Sequence, residues 1–267
     1  MGKQKFKYVF VVLVYRNTQD LKDFFQAFGV KDSKVIVVNS FYDDVSKEEF
    51  RIIAEQNNAD FISVPNLGYG YGNNRGCEFA LKHYLFNWLI ISNADIIIKK
   101  FPEDVLNNHK NDIVAPNIIN LKGKRQNPSS AFARPWWLDT LQYKVYKAER
   151  KRLIYVFYAL SRLQKSFFYL ISPLRKRIFA AHGAFVIIPF SVIQKLFPIY
   201  NEEMFLFAEE IHFGRLASQN GVKTYYEPEI EISHKEDGSV SLAVDNVYKP
   251  MRQSFMVYYE YWKKQIK

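Results

Sequence analysis

Short apolar runs alternate with amphipathic stretches over the first 120 positions. The runs at 8–15, 34–38 and 61–64 have strand length and almost no charge, and the stretches between them, 19–28 and 47–57, repeat apolar residues at helical spacing. This alternation predicts βαβαβ and a parallel sheet. After a glycine-rich segment the pattern gives a helix over 74–84, a strand at 88–92, a helix over 102–109 and a strand at 112–116. Polar residues close the apolar runs: Asn17, Asn39, Asn66 and Asp95 all stand at such ends, where open parallel sheets bind their ligands.

The pattern then changes. Residues 121–130 are polar and turn-rich, RPWW follows at 134–137, and 143–177 carries ten basic residues against one acid, Glu149. Wound as one helix at about 100° per residue, this insert gathers Lys144, Lys147, Arg150, Lys151, Arg162 and Lys165 on one side with Tyr155, Tyr158 and Tyr169. Leu153, Val156, Phe157, Leu160, Leu163, Phe167 and Leu170 fill much of the rest. Two readings follow: a helix lying in an anionic membrane interface, or a helix packed on its own domain with a solvated basic side. Pro173 is expected to end it and to leave Arg175, Lys176 and Arg177 facing phosphates. Beyond it the pattern gives a strand at 183–189, a helix at 191–196, a helix opened by Glu209, strands at 222–226 and 229–234, and an aromatic, basic, helical tail at 247–267.

Composition narrows the classes. The chain has 267 residues, 48% hydrophobic and 17% aromatic, which excludes disorder and supplies rings for packing or stacking. A net charge of +10 and a pI near 9.4 point to an anionic partner. Cys77 is the only cysteine, so an internal disulfide is excluded and a packing role in a reducing, cytoplasmic setting is expected. The run at 8–15 reads as a buried strand rather than a signal peptide, and no apolar run reaches the roughly 20 residues of a membrane span.

Four polar islands carry candidate chemistry. FLFAEEIHFGR at 205–215 places Glu209 and Glu210 at a helix start, where carboxylates either complement the helix dipole or accept a proton. NLGYGYGNNRG at 66–76 combines Asn66, Gly68, Gly70 and Asn74; its glycines allow close backbone approach, and the following helix favours a diphosphate. SNAD at 92–95 offers Asn93 and Asp95, a turn or cap by one reading and a hard-cation ligand by the other. VVNSFYDD at 37–44 brings Asn39 and Asp43, turn caps or base contacts. His234 follows the last strand, and Trp136 and Trp137 are either core rings or platforms for sugar rings.

In order and spacing these islands resemble family 2 glycosyltransferases of the GT-A fold, in the bacterial rhamnosyltransferase-like branch, over about 9–240 outside the insert. The resemblance implies an α/β GT-A fold with a mostly parallel central sheet flanked by helices, plus a basic helical insert. It implies a nucleotide-sugar half at 1–120, an acceptor and catalytic half at 121–240, and a helical tail at 241–267. Asn17, Asn39, Asp43, Asn66, Gly68, Gly70, Asn74 and Asn93 would bind the nucleotide sugar. Asp95 and His234 would hold Mg²⁺ or Mn²⁺, Glu210 beside Glu209 would act as base, and Trp136 and Trp137 would meet the acceptor. Asn39 stands where the family has Asp, Glu210 where it has Asp, and His212 where a further Asp is common. The implied reaction is inverting transfer of a hexose or deoxyhexose from a nucleoside-diphosphate sugar to a glycan or lipid-linked acceptor in polysaccharide synthesis. It would occur in the cytoplasm, at the inner membrane face if the insert binds anionic lipid. Nucleic acid is not an expected partner. Two alternatives stay open: a nucleotidyltransferase, although VYRN at 14–17 lacks that class's basic glycine-rich motif, and a charge-driven binding module without catalysis.

Overall fold

The computed structural model describes residues 2–171, 176–235 and 247–265. Pro173, Arg175 and the Asp237-Gly238 turn after His234 lie outside the described residues, as do the side chains of Lys151, Tyr155 and Tyr158.

The first half builds as its pattern predicts. Strands β1 (Gln4–Val14), β2 (Ser33–Ser40) and β3 (Asp60–Val64) alternate with helices α1 (Thr18–Ala27) and α2 (Asp44–Gln56), followed by α3 (Tyr69–His83) and β4 (Tyr84–Asn93). β1 pairs in parallel with β2 and β4, and β2 with β3. Alternation along β1 sorts the core: Val9 and Val11 face α3, whereas Tyr8, Phe10, Val12 and Val14 face α1 and α2. α3 lies close against the sheet because Gly76 has no side chain. A Cβ there would stand 2.3 Å from Val11 Cγ1.

The second half departs from a parallel sheet. β5 (Ile96–Lys100), unpredicted, is antiparallel to β9 (Thr224–His234). β6 (Ile113–Asn120) runs parallel to β9 and antiparallel to β8 (Phe185–Pro189), which inserts antiparallel beside β4. β7 (Lys176–Ile178) adds an antiparallel pair to β9. Among the described residues the order is β3-β2-β1-β4-β8-β6-β9-β5, a mixed sheet that is parallel throughout its first half and, in its second, only between β6 and β9. The two strands expected at 222–226 and 229–234 are one strand with a register shift opposite Pro116 and Asn117. Pro228 sits inside that shift, where a missing N–H costs no ladder bond.

α6 (Phe190–Leu196) and α7 (Glu209–Gln219) cover the α3 side. The basic insert is two helices rather than one. α4 (Trp136–Lys147) stops at Ala148, Glu149 turns left-handed at φ 54°, and α5 (Lys151–Ile171) starts in a new direction. The single basic face therefore does not form: Lys144 and Lys147 belong to α4, and Lys165 on α5 turns inward. Val145, Tyr146, Ile154 and Phe157 join Phe255, Tyr258 and Trp262 of the C-terminal helix Tyr248–Gln265 in a separate core cluster.

Candidate active site

The carboxyl ends of β1, β2 and β4 open onto a cavity lined by Leu13, Val14, Tyr15, Ser40, Asn66, Gly68, Tyr69, Asn93, Phe205 and Leu206. Asn66 accepts a hydrogen bond from the Ser40 hydroxyl at 3.0 Å, which fixes its amide at the rim. Gly68 has φ 118° and lies against the backbone of Phe205, where a Cβ would meet the carbonyl oxygen at 2.4 Å. Tyr69 N–H donates to that carbonyl at 2.8 Å, so the glycine segment and the run before Glu209 form one wall.

Other predicted donor residues sit elsewhere. Asn39 is buried on the opposite face of β2 from Ser40 and donates to Ser63 Oγ at 3.0 Å. Its Oδ1 has no partner among the described residues. Asn17 and Asp43 cap α1 and α2, accepting from Gln19 N–H at 3.2 Å and Ser46 N–H at 2.7 Å. Gly70 packs under Tyr200, and Asn74 donates to the Tyr200 carbonyl at 2.9 Å. The helix begins at Tyr69, five residues before the expected start, and this turns half of the glycine segment into packing surface.

Asp95 and His234 meet. β5 and β9 pair Ile96 with His234, and this brings His234 Nε2 to 3.2 Å from Asp95 Oδ1, both groups buried. His234 Nδ1 bonds Gln126 Oε1 at 2.7 Å, which orients the ring and turns Nε2 toward the Asp95 carboxyl group. A nitrogen and an oxygen donor aimed at one point, oriented by a second residue, fit Mg²⁺ or Mn²⁺. No group of three His, Cys, Asp or Glu surrounds that point among the described residues. Diphosphate oxygens and water would supply the remaining ligands, as hard-cation sites with few protein ligands require.

The next residue of the loop, Asn127, accepts from His182 N–H at 2.7 Å. His182 stands 5.9 Å from His234, ring centre to ring centre, and burial pushes its pKa down to about 3. It is neutral, with Nδ1 accepting from Ala184 N–H at 3.1 Å. Neither Gln126 nor His182 carried a sequence signal, because their partners are 108 and 55 positions away.

The carboxylate pair is built differently. Phe207 and Ala208 both adopt left-handed backbone, φ 74° and 69°, and this uncommon double turn feeds directly into α7. Glu209 is 3% exposed, and its Oε1 has no partner among the described residues. Burial, and after it the charge of Glu210, push its pKa well above the usual 4.5. Burial raises Glu210 too, but the Gly183 N–H and the Lys165 ammonium oppose that rise. Both carboxyl groups are thus held above the ordinary carboxylate range, and Glu210 is the one with an ammonium nearby to favour its ionised form. Tyr69 donates to the Gly183 carbonyl at 2.7 Å, and its own proton is held tightly by burial and by the Glu210 charge.

Glu210 faces a second cleft, lined with Arg134, Gln142, Tyr146, Ile154, Phe157, Ser161, Phe207, Ala208, Met251 and Phe255. The segment 182–184 separates the two arrangements. Asn93 N–H donates to the Ala184 carbonyl at 2.9 Å on the Asp95 side, while Gly183 contacts Glu210 on the other. Trp136 and Trp137 do not line this cleft. Trp136 stacks on Tyr259 at 4.8 Å beneath Arg215, and both indoles border a shallow hollow with Thr140, Leu141 and Lys144. His212 packs against Tyr261 and Trp262, lowered to about 4 by burial. Cys77 is buried core.

Compared with known proteins, the chain matches no family model and no curated protein. It is similar in structure to GalNAc-T7, solved with UDP, GalNAc and Mn²⁺, at TM-score 0.61 and 14% identity over 97% of this chain and 49% of that one. It is also similar to S. aureus TarS, at TM-score 0.55 and 12% identity over 86% of this chain and 36% of that one. This chain thus spans about half and about a third of those two lengths. The likeness shows the fold, an α/β GT-A architecture.

Proposed function

We propose that the protein is a metal-dependent, inverting glycosyltransferase of the family 2, rhamnosyltransferase-like kind. In this reading it moves a hexose or deoxyhexose from a nucleoside-diphosphate sugar to a glycan or lipid-linked acceptor in cell-surface polysaccharide synthesis, at the cytoplasmic face of a membrane. The observation that carries it is the junction at 182–184. A carboxylate with a donated N–H and a nearby ammonium faces one cleft, and across the same segment Asn93, two residues before Asp95, lines the other cavity.

The donor would lie along β1, β2 and β4, with its diphosphate toward Asp95 and His234. The cation, when bound there, would balance the charge of the leaving diphosphate. Glu210 accepts the acceptor hydroxyl proton as the new C1–O bond forms and the C1–O bond to the diphosphate breaks with its electron pair. Attack from the second cleft comes from the face opposite the leaving group and inverts the anomeric carbon. Lys165 and Gly183 favour the ionised Glu210 that this step needs. We keep the division at 1–120, 121–240 and 241–267 as donor half, acceptor half and tail. The bound GalNAc and UDP belong to GalNAc-T7 alone.

The first test is thermal stabilisation by UDP-, dTDP- and GDP-sugars with and without Mn²⁺ or Mg²⁺, since a ligand that binds only the folded state raises Tm. A metal-dependent shift with one nucleotide is the expected result. Equal silence from all of them, against a folded control, would overturn the donor site.

A further inference from the structure

α5 carries a surface that the proposed reaction does not use. Leu153, Val156, Leu160, Leu163, Phe167 and Leu170 are all exposed, from 41% for Leu160 to 84% for Leu170. They recur at intervals of three and four, and at about 100° per residue they fall within roughly 100° of arc, one unbroken apolar stripe. The opposite face is the one that packs. Ile154, Phe157 and Phe168 are buried, Lys165 Nζ donates to the Gln126 carbonyl at 3.3 Å, and the Tyr169 hydroxyl donates to the Asn127 carbonyl. The stripe is therefore presented outward by a helix held on its inner side.

A 3-4 apolar repeat also suits a coiled coil with a second copy. The charges argue against that partner. From Arg150 to Ile178 the chain has no acidic residue, so a second α5 would bring like charge with no carboxylate to pair at the flanks. Arg150, Arg152 and Arg162 are exposed on or beside α5, and Lys122, Lys124 and Arg125 are exposed on a loop joined to it by the Arg125–Tyr169 contact at 5.4 Å. Apolar side chains rimmed by uncompensated cations complement an anionic bilayer surface, where the chains enter the headgroup boundary and the cations meet phosphates. Among the described residues no helix is long and apolar enough to cross a membrane, so α5 would lie on the surface rather than span it.

We infer that α5 docks the protein on an anionic lipid bilayer through this stripe. Docking has a consequence for the site that rests on the glycosyltransferase reading above. Ile154, Phe157 and Ser161 on the inner side of the same helix form one wall of the cleft that Glu210 faces, so the cleft would lie one helix diameter, about 10 Å, from the bilayer and within reach of an acceptor anchored in it. Lys165 and Tyr169 tie the same helix to the Gln126–Asn127 loop that orients His234 and His182.

The experiment is vesicle co-sedimentation of the full chain with phosphatidylcholine alone and with added phosphatidylglycerol, across a salt series. Wild type is expected to bind only the anionic vesicles, less as salt rises. Leu163→Ser/Leu170→Ser and Arg152→Ser/Arg162→Ser should each weaken binding at least tenfold while keeping wild-type melting and any nucleotide-sugar shift. Full vesicle binding in both variants overturns the inference. So does a wild-type dimer in sedimentation velocity that Leu163→Ser/Leu170→Ser dissociates with no vesicle binding by wild type, or binding to a single-stranded RNA oligonucleotide in place of vesicles. The nucleotide-sugar shift is read separately, so loss of the donor reading leaves the docking result standing, and the reverse.

Discussion

Asp95–His234 and Glu209–Glu210 are both largely buried ionisable pairs at the ends of regular elements, yet they are built to opposite specifications. The first sits where two paired strands meet, Asp95 just before β5 and His234 closing β9, and its histidine is oriented by Gln126. The second follows two consecutive left-handed residues, and one carboxyl oxygen of Glu209 is buried without a partner among the described residues. Preorganised, partnered groups suit holding a ligand in fixed geometry. A desolvated carboxylate whose proton affinity has been raised suits exchanging a proton near neutral pH.

The largest expected effects separate these two roles. Asp95→Ala should remove both turnover and the metal-dependent part of the nucleotide-sugar thermal shift. Glu210→Gln should lower kcat by roughly 10²–10⁴ while leaving the thermal shift in place. Equal loss of donor binding in both variants would erase the distinction. A second effect is in pH. Burial holds the Glu210 pKa above the usual 4.5, and the base must be ionised, so kcat should begin to fall on acidification at a pH above that value. A pH–rate profile with its acid limb at or below 4.5 would assign the base elsewhere.

How far such assignments could be read from the chain depended on the range of the interactions. The β1–α1–β2–α2–β3 order was legible because each element declares itself by its own period over a short window. Asn39 misled because a strand end fixes position along the sheet but not parity. One residue on, Ser40 faces the cavity, and Asn39 faces the other side. The insert read as one helix because nothing in Ala148-Glu149-Arg150 forbids continuation; the left-handed turn at Glu149 forms with Arg150 N–H bonded to the Val145 carbonyl and Arg252 paired with the Glu149 carboxylate. β5 was missed because five residues directly after a polar island look like its loop, and only pairing with β9 makes them a strand. Gln126, Lys165 and His182 were illegible for a related reason: each matters through a partner far along the chain. Gly68 was found for the right residue type and a reason only the structure supplies, the approach of Phe205.

Smaller effects test the cost of the second pair. Glu209 binds its proton more tightly in the folded than in the unfolded protein, so folding is penalised wherever the unfolded chain would leave it ionised. That penalty is full above the raised folded-state pKa and vanishes as pH falls below the ordinary value of 4.5. Glu209→Gln should therefore raise Tm by a few degrees at neutral pH, on the order of 2–4 °C per kcal/mol for a chain near this size, with the gain shrinking on acidification. Melting curves that show a constant gain from pH 4 to pH 8 would mean that Glu209 is not the protonated partner.

The smallest effect addresses the strained entry itself. Ala208 at φ 69° holds a conformation that costs a non-glycine residue about 1 kcal/mol or more, whereas glycine adopts it freely but loses about 0.4–1 kcal/mol through a more flexible unfolded chain. These terms nearly offset, so Ala208→Gly should shift Tm upward by only a degree or two. Its kinetic effect should have the other sign. Glu210 lies two residues on, and a looser turn lets its carboxylate wander from the Gly183 N–H; displacement of about 1 Å at a reacting group can cost 10²-fold in rate. A variant that melts slightly higher, binds donor normally and turns over more slowly would show that the left-handed turn is retained for placing the base. If rate and stability rise together, the strain belongs to packing against Phe205 and Leu206, and the contrast between the two ionisable pairs reduces to burial alone.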